Sequence, residues 1–471
     1  MMSRLCRRRT GKASDRRIGS CLGSKALPNV HALFVRHTGV LGVLLAMIAG
    51  ACDRPFVDQA PPHIEFLEPD LGEVQIDQVV HLSISATWFR SIRTVRLNGM
   101  EATRAGDQWE ARVILNRGLN QLDVEVIGAD DEYFAAKEYA LHFPFAFTQN
   151  APDLPEGRGG HSAAYTRAGL LIVGGARRAG GAAQPDVYVL PPGGNRFVTR
   201  SGRLHYARSG HTATRLPDGR VLILGGSRVD NPASVEDLIE YAELYDPEAD
   251  SFIVVPVEGQ PIRRTLHTAK RRTVDEELVV DLYGGRGDTR YGSDPFLGVR
   301  RDLRTFAFRD DSLFARNGID SAPYLDDAIF GHTATQLNRG PYLVLGTHFD
   351  GAFIDAASFL LEHDTPTGLQ ITPAPTMLTA RTRHAAATLP GNMVVIFGGR
   401  QGTPRNIVVQ AEIYSDEARR FFRVPSLRPI VRRFGHTATN SSSQRILLVG
   451  GFGLDGTSYS ASEFFRIDRD N

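Results

Sequence analysis

The stretch Arg208-Ser209-Gly210-His211-Thr212-Ala213-Thr214-Arg215-Leu216-Pro217-Asp218-Gly219-Arg220-Val221-Leu222-Ile223-Leu224-Gly225-Gly226 decides the fold. It joins a histidine among small residues, a Pro-Asp-Gly turn and an apolar run ending in two glycines. The same pattern recurs around His161, His211, His267, His332, His384 and His436. The apolar runs are Leu170 to Gly175, Val221 to Gly226, Val279 to Gly285, Tyr342 to Gly346, Val394 to Gly399 and Ile446 to Gly451. Self-similarity at a period of 50 to 65 residues signals a repeat architecture, in which each copy is one supersecondary unit that needs its neighbours to bury its faces.

Within each copy the runs are short, rich in branched apolar residues and bounded by turn residues, which is how buried strands read. A third strand follows with an aromatic (Tyr188, Tyr245, Tyr414, Phe464), and a fourth with Phe197, Phe252 or Phe422. Four antiparallel strands per copy make a propeller blade. Arg-x-x-His, as in Arg208 to His211 and Arg433 to His436, then the two glycines, then the third-strand tyrosine, resemble the kelch family over about two-thirds of the chain. Two departures stand out. Phenylalanine replaces the family's fourth-strand tryptophan, and in the fourth copy Ile329 stands for the arginine and Thr347 for the second glycine. The expected fold is all-β: a six-bladed kelch β-propeller at 144–471, preceded by a small Ig-like β-sandwich at 63–143.

The last copy stops after its third strand, Glu463 to Asp468. Phe147 lies 14 residues before His161, and Phe197 and Phe422 lie 14 before His211 and His436. Residues 145–148 are therefore expected to supply the missing strand and leave no open edge.

Residues 1–36 carry nine Lys/Arg and one acid, and 38–51 are uncharged and mostly apolar. The run is shorter than the roughly 20 residues a spanning helix needs, and it fits the apolar region of a secretory signal. Ala49-Gly50-Ala51-Cys52 resembles the bacterial lipoprotein box, which implies a signal peptide at 1–51, lipidation at Cys52 and a tether at 52–62. The three cysteines are Cys6, Cys21 and Cys52, so the rest of the chain has no disulfide framework and no thiolate metal site. The whole chain carries a net charge of +1, and without residues 1–51 it holds 45 basic and 52 acidic residues, about −7, which argues against a nucleic-acid binder. Alternating runs such as Val79 to Ala86, Trp109 to Leu115 and Gly118 to Val126 give about seven strands in about 80 residues, as in a sandwich. The run Leu97-Asn98-Gly99, Trp109 and Gly118-Leu119-Asn120 resembles bacterial Ig-like modules, and the expected role is a spacer.

Second-to-third connections are long: Ala176 to Pro185, Ser227 to Asp237, Arg286 to Leu297, Arg400 to Ile407 and Phe452 to Ser460. Long loops on a rigid scaffold are where binding sits. The candidate ligand-binding residues are Arg158, Arg208, Arg264, Arg381 and Arg433, three before their histidines, with Arg286 and Arg400 in the loops. A planar guanidinium pairs well with carboxylates. The competing reading has the repeat arginines bonding carbonyls between blades and pairing with Asp186, Glu236 and Glu412. The extra length between His267 and His332, placed at Arg309 to Asp327, is read as either a lid or specificity loop or a disordered excursion. No nucleophile elbow, phosphate-binding glycine loop or HExxH occurs, and copper-radical chemistry that crosslinks Tyr to Cys is excluded by the lack of cysteine after position 52. The expected protein is a membrane-anchored bacterial lipoprotein, exported to the periplasmic side of a membrane or the cell surface. Its propeller binds an extracytoplasmic protein or glycan without cofactor, metal or nucleic acid. The alternative is a kelch-type mutarotase or epimerase-like enzyme acting on an acidic sugar.

Overall fold

The computed structural model describes residues 60–467 apart from 149–150, 260, 292–293, 301, 317–327, 339, 350–353, 366–367, 402–405 and 426–430. The signal segment, Cys52 and the tether as far as residue 59 lie outside the described residues. Val57–Asn471 forms one compact unit. Among the described residues the only helical element is the 3₁₀ turn Val235–Asp237, and no helix is long and apolar enough to cross a membrane.

The repeats fold as six sheets, a propeller-like arrangement; five have four antiparallel strands in sequential order, and the third adds Val257–Glu258, which pairs parallel with Ser312–Ala315. In the second, Thr212–Arg215, Val221–Leu224, Ala242–Asp246 and Ser251–Val255 pair in turn. Every residue of Val221–Leu224 is buried. A strand covered on both faces must be apolar throughout, which is why these runs do not alternate. The fifth sheet, Ala385–Leu389, Met393–Phe397, Glu412–Ser415 and Arg420–Arg423, has the same form. In the sixth, Ala146–Thr148 pairs with Ser462–Arg466 and supplies the fourth strand from the other end of the repeat region.

The third and fourth sheets depart from this plan. In the third, Leu303–Arg309 and Ser312–Ala315 form an ordinary hairpin, so the excursion expected at Arg309 to Asp327 does not begin at Arg309. The described extra length is the hairpin Arg286–Tyr291 with Asp294–Val299, and residues 317–327 lie outside the described residues. In the fourth, Tyr342–Phe349 runs straight through Gly346 and Thr347 into pairing with Ile354–Thr365. Without two glycines the strand does not turn there.

Three sets of bonds link neighbouring sheets. The residue before each histidine donates its N–H to the equivalent carbonyl one sheet back: Gly210 to Gly160, Leu266 to Gly210, Gly331 to Leu266, Arg383 to Gly331, Gly435 to Arg383 and Gly160 to Gly435, all at 2.6–2.8 Å. The sixth bond returns to the first residue. The second glycine donates to the next sheet at the position of the repeat arginine, from Gly175 to Arg208 (2.9 Å) round to Gly451 to Arg158 (2.6 Å). Histidine Nε2 meets the hydroxyl that follows the preceding histidine: His267 with Thr212, His332 with Thr268, His384 with Thr333 and His161 with Thr437. His436 finds Ala385 there and has no such partner. The first glycine is required by this packing. A Cβ on Gly225, at φ +63°, would sit 2.6 Å from His267 Cε1.

Residues 63–142 form two four-stranded sheets. One orders His63–Glu68, Val79–Thr87, Gln108–Ile114 and Thr103–Ala105, and the other Met100–Glu101, Ile92–Leu97, Gly118–Gly128 and Tyr133–His142. Leu82, Ile84, Val95, Leu97, Trp109 and Val124 are buried among them. This unit is seated on the propeller-like part. Val74 N–H donates to the Arg423 carbonyl (2.8 Å) and Arg423 N–H to that of Gly72 (2.7 Å). Val74, Leu141, Phe143 and Phe145 share one core with Phe397, Ile413, Phe422 and Phe465.

Candidate functional site

The repeat arginines lie beneath the long-loop face. Arg158, Arg208, Arg264, Arg381 and Arg433 are each 0 or 1% exposed. Arg208 donates through Nη1 to the carbonyls of Gly225 (2.9 Å) and Tyr241 (3.0 Å), through Nε to that of Tyr206, and through Nη2 to Glu243 Oε1 (2.6 Å). Arg381 repeats this with Gly398, Gln410, Thr379 and Glu412. Arg433 does so with Gly450, Ala461 and Val431, with Glu463 facing it at 3.4 Å. Arg264 pairs with Asp302 at 3.0 Å. The first sheet has Tyr188 at the acid's place, and Arg158 bonds Asp186 (2.6 Å) and the Tyr188 hydroxyl (2.8 Å). The five guanidiniums are thus taken up in holding strands and turns together, out of a ligand's reach. Asp186 and Glu412 are partners as the sequence suggests, but Glu243, not Glu236, pairs with Arg208.

The six histidines are buried, and burial, reinforced in each by a nearby arginine, pulls their pKa values down. His161, His332 and His384 fall to about 3, and His211, His267 and His436 fall well below the usual value. They are neutral packing groups around the axis. Among the described residues no group of three His, Cys, Asp or Glu could hold a metal ion.

At the axis, on the long-loop side, a cavity of about 270 Å³ is lined by Asp230, Asn231, Arg383, Arg400, Phe434, Leu454 and Asp455, with Ala179, Gly180, Ile407 and Gly456. Its walls come from the second-to-third connections of the first, second, fifth and sixth sheets, with Arg383 and Phe434 added from the turns before His384 and His436. Arg383 is the residue the sequence reading missed. Four repeats have glycine just before the histidine, at φ +59 to +68°. Arg383 takes the same conformation at φ +55°, which costs a residue with a Cβ about 1–2 kcal/mol. Its guanidinium crosses the axis to a residue 153 positions away, bonding Asp230 through Nη2 (2.6 Å) and Nη1 (3.1 Å). Asp230 also accepts from the Ser209 hydroxyl (2.9 Å) and Gly180 N–H (3.2 Å). The Arg383 guanidinium stacks 5.1 Å from the Phe434 ring and 5.4 Å from Phe452, and Arg400 lies 5.5 Å from Phe434.

Of the two loop candidates, Arg400 lines this cavity, while Arg286 acts at its edge and donates to Asn231 Oδ1 (2.9 Å). Asp455 accepts from the Thr457 hydroxyl and N–H, which holds its carboxyl below the ordinary value. The lining therefore has two guanidiniums, two carboxylates, an aromatic face and an apolar rim at Leu454, which is 67% exposed. A bound molecule would meet fixed polar groups of both signs beside a ring, the usual makeup of a selective small-molecule site.

No family model matches the chain, and no curated protein matches it in sequence. Among solved structures it is similar to one titled "Structure of YjhT", with a TM-score of 0.51 at 11% identity, over 68% of this chain and 98% of that one. At that identity the likeness is one of fold.

Proposed function

We propose that the chain is an exported lipoprotein, lipidated at Cys52, whose closed six-bladed propeller of the kelch type binds an extracytoplasmic glycan in the axial cavity. An Ig-like module at 63–143 holds the propeller off the membrane. The observation that carries the binding reading is Arg383. A strained arginine is kept at the one turn position that the other blades fill with glycine or leucine, and it fixes Asp230 as a wall of the cavity. Strain of this kind persists where the surroundings over-determine it, and it clusters at binding sites. The volume suits a single sugar ring. Phe434, itself buried, backs the Arg383 and Arg400 guanidiniums, and Asn231 and Asp455 stand beside them as polar lining. Because the lining charges cancel, a neutral or zwitterionic sugar fits better than a strongly acidic one.

Binding is favoured over catalysis because Asp230 is already occupied by four donated hydrogen bonds and is poorly placed to take a proton from a substrate. Saturation-transfer NMR with neutral, zwitterionic and acidic monosaccharides tests this. Binding that is lost in Arg400→Ala supports the reading. Anomer exchange accelerated over buffer would instead favour the mutarotase-like alternative, and no transfer from any sugar would refute the glycan.

A further inference from the structure

A second cavity is built differently. Between the first strands of the second, third and fourth sheets lies an open cavity of about 630 Å³, lined by Arg215, Lys270, Arg271, Arg272, Tyr342 and Glu362 among others. Arg272 is neutralised by Asp281, which it bonds through Nε at 2.6 Å. Arg215 and Arg271 are exposed and have no ion pair among the described residues. Glu362 is the one acid in the lining. Lys270, one of four lysines in the chain, lies with its ammonium 5.3 Å from the centre of the Tyr342 ring and has no carboxylate partner among the described residues.

We infer that this mouth is a second site, for a small organic anion bearing an aldehyde or keto group. Arg215 and Arg271 attract the anionic end, and the Lys270 amine condenses reversibly with the carbonyl. An amine becomes a nucleophile at neutral pH when it is desolvated. Burial lowers the Lys270 pKa to about 8. The neutral amine adds to the carbonyl carbon, two protons leave nitrogen and the carbonyl oxygen departs as water. The product is an imine and no oxidant or reductant is consumed. The aromatic ring of Tyr342 covers the ammonium without pairing it, so the amine is held in place and left available.

The test uses glyoxylate with cyanoborohydride, which reduces the imine to a stable secondary amine, followed by peptide mass spectrometry of the full-length protein. Lys137, exposed on the sandwich part, is an internal reference. At pH 7 Lys270 is expected to be labelled about tenfold faster than Lys137 or more, because the unprotonated fraction sets the rate of amine attack. Labelling at Lys270 should saturate with glyoxylate and be slowed by inorganic phosphate. Glycolaldehyde, a neutral aldehyde of similar size, should label Lys270 without saturating. In Arg215→Glu with Arg271→Glu, both exposed positions, saturation by glyoxylate should disappear while Lys137 is unaffected. Labelling of Lys270 no faster than Lys137 would overturn the inference. So would a rate linear in glyoxylate, or saturation indifferent to the double charge reversal.

Discussion

The second and fifth blades carry the same internal clamp and differ one residue before the histidine. Arg208 with Glu243 and Arg381 with Glu412 bond the same kinds of carbonyl and carboxylate, the carbonyl 17 residues on in both and the carboxylate 35 and 31 residues on. Gly210 then turns toward the axis with no side chain, whereas Arg383 turns the same way and crosses it to Asp230. The repeated residues hold each sheet together and to its neighbours, and the exceptions to the repeat line the cavity. An arginine count cannot separate these roles, because both repeats contain the arginine three before the histidine and only one adds a second.

The largest effect is one the two blades should share. The six histidines are held neutral, while in the unfolded chain each titrates near 6.5. As pH falls below about 6.5 the unfolded state binds protons that the folded state refuses, so stability is lost from there down toward the folded values near 3. Each fully buried histidine contributes about 1.4 kcal/mol per pH unit in that window, and six together exceed a typical stability of about 5–15 kcal/mol within two units. Cooperative unfolding is expected between about pH 6 and pH 4, read by circular dichroism. A fold that persists unchanged to pH 4 would contradict neutral burial.

The clamps should be equally costly to break. Glu243→Ala and Glu412→Ala each leave a buried guanidinium without its carboxylate and should lower unfolding free energy by about 3–5 kcal/mol. Unequal losses in denaturant titrations would end the equivalence of the two blades.

At Arg383 the blades should part. Arg383→Gly restores the residue usual at this turn and relieves backbone strain, yet it strands the Asp230 carboxylate. A net loss of about 2–3 kcal/mol is expected, that of a broken buried pair less the strain relieved. Asp230→Asn combined with it should recover part of that loss, and additive effects would show that the two groups do not interact. The smallest effect concerns the missing hydroxyl. Ala385→Thr offers His436 the partner that Thr212 offers His267 and should stabilise by about 1 kcal/mol, the net worth of one hydrogen bond, seen as a raised Tm.

Much of the architecture was legible because it is periodic. The histidine and the two glycines recur where one blade packs on the next, and the 14-residue spacing from Phe147 to His161 already pointed to Ala146–Thr148 as the strand paired with Ser462–Arg466. The straight run of the fourth blade was foreshadowed by Thr347, which takes the place of a glycine. Glu236, named among the acids for the repeat arginines, is not the partner of Arg208, because only the strand pairing puts Glu243 beside that guanidinium. Exports and anchors read from residues 1–59 rest on the sequence alone.

What the sequence determined by itself is the unit and its repetition: which residues form strands, where they turn and which small residues each packing contact demands. Local spacing and burial pattern set those choices. What only the tertiary structure decided is which exceptions meet. Arg383 and Asp230 lie 153 residues apart and touch because the packing of the sheets brings their two turns together. Arg215, Lys270 and Arg271 border one cavity because neighbouring first strands converge there. The packing of successive sheets brings distant residues together, and no local pattern encodes that distance.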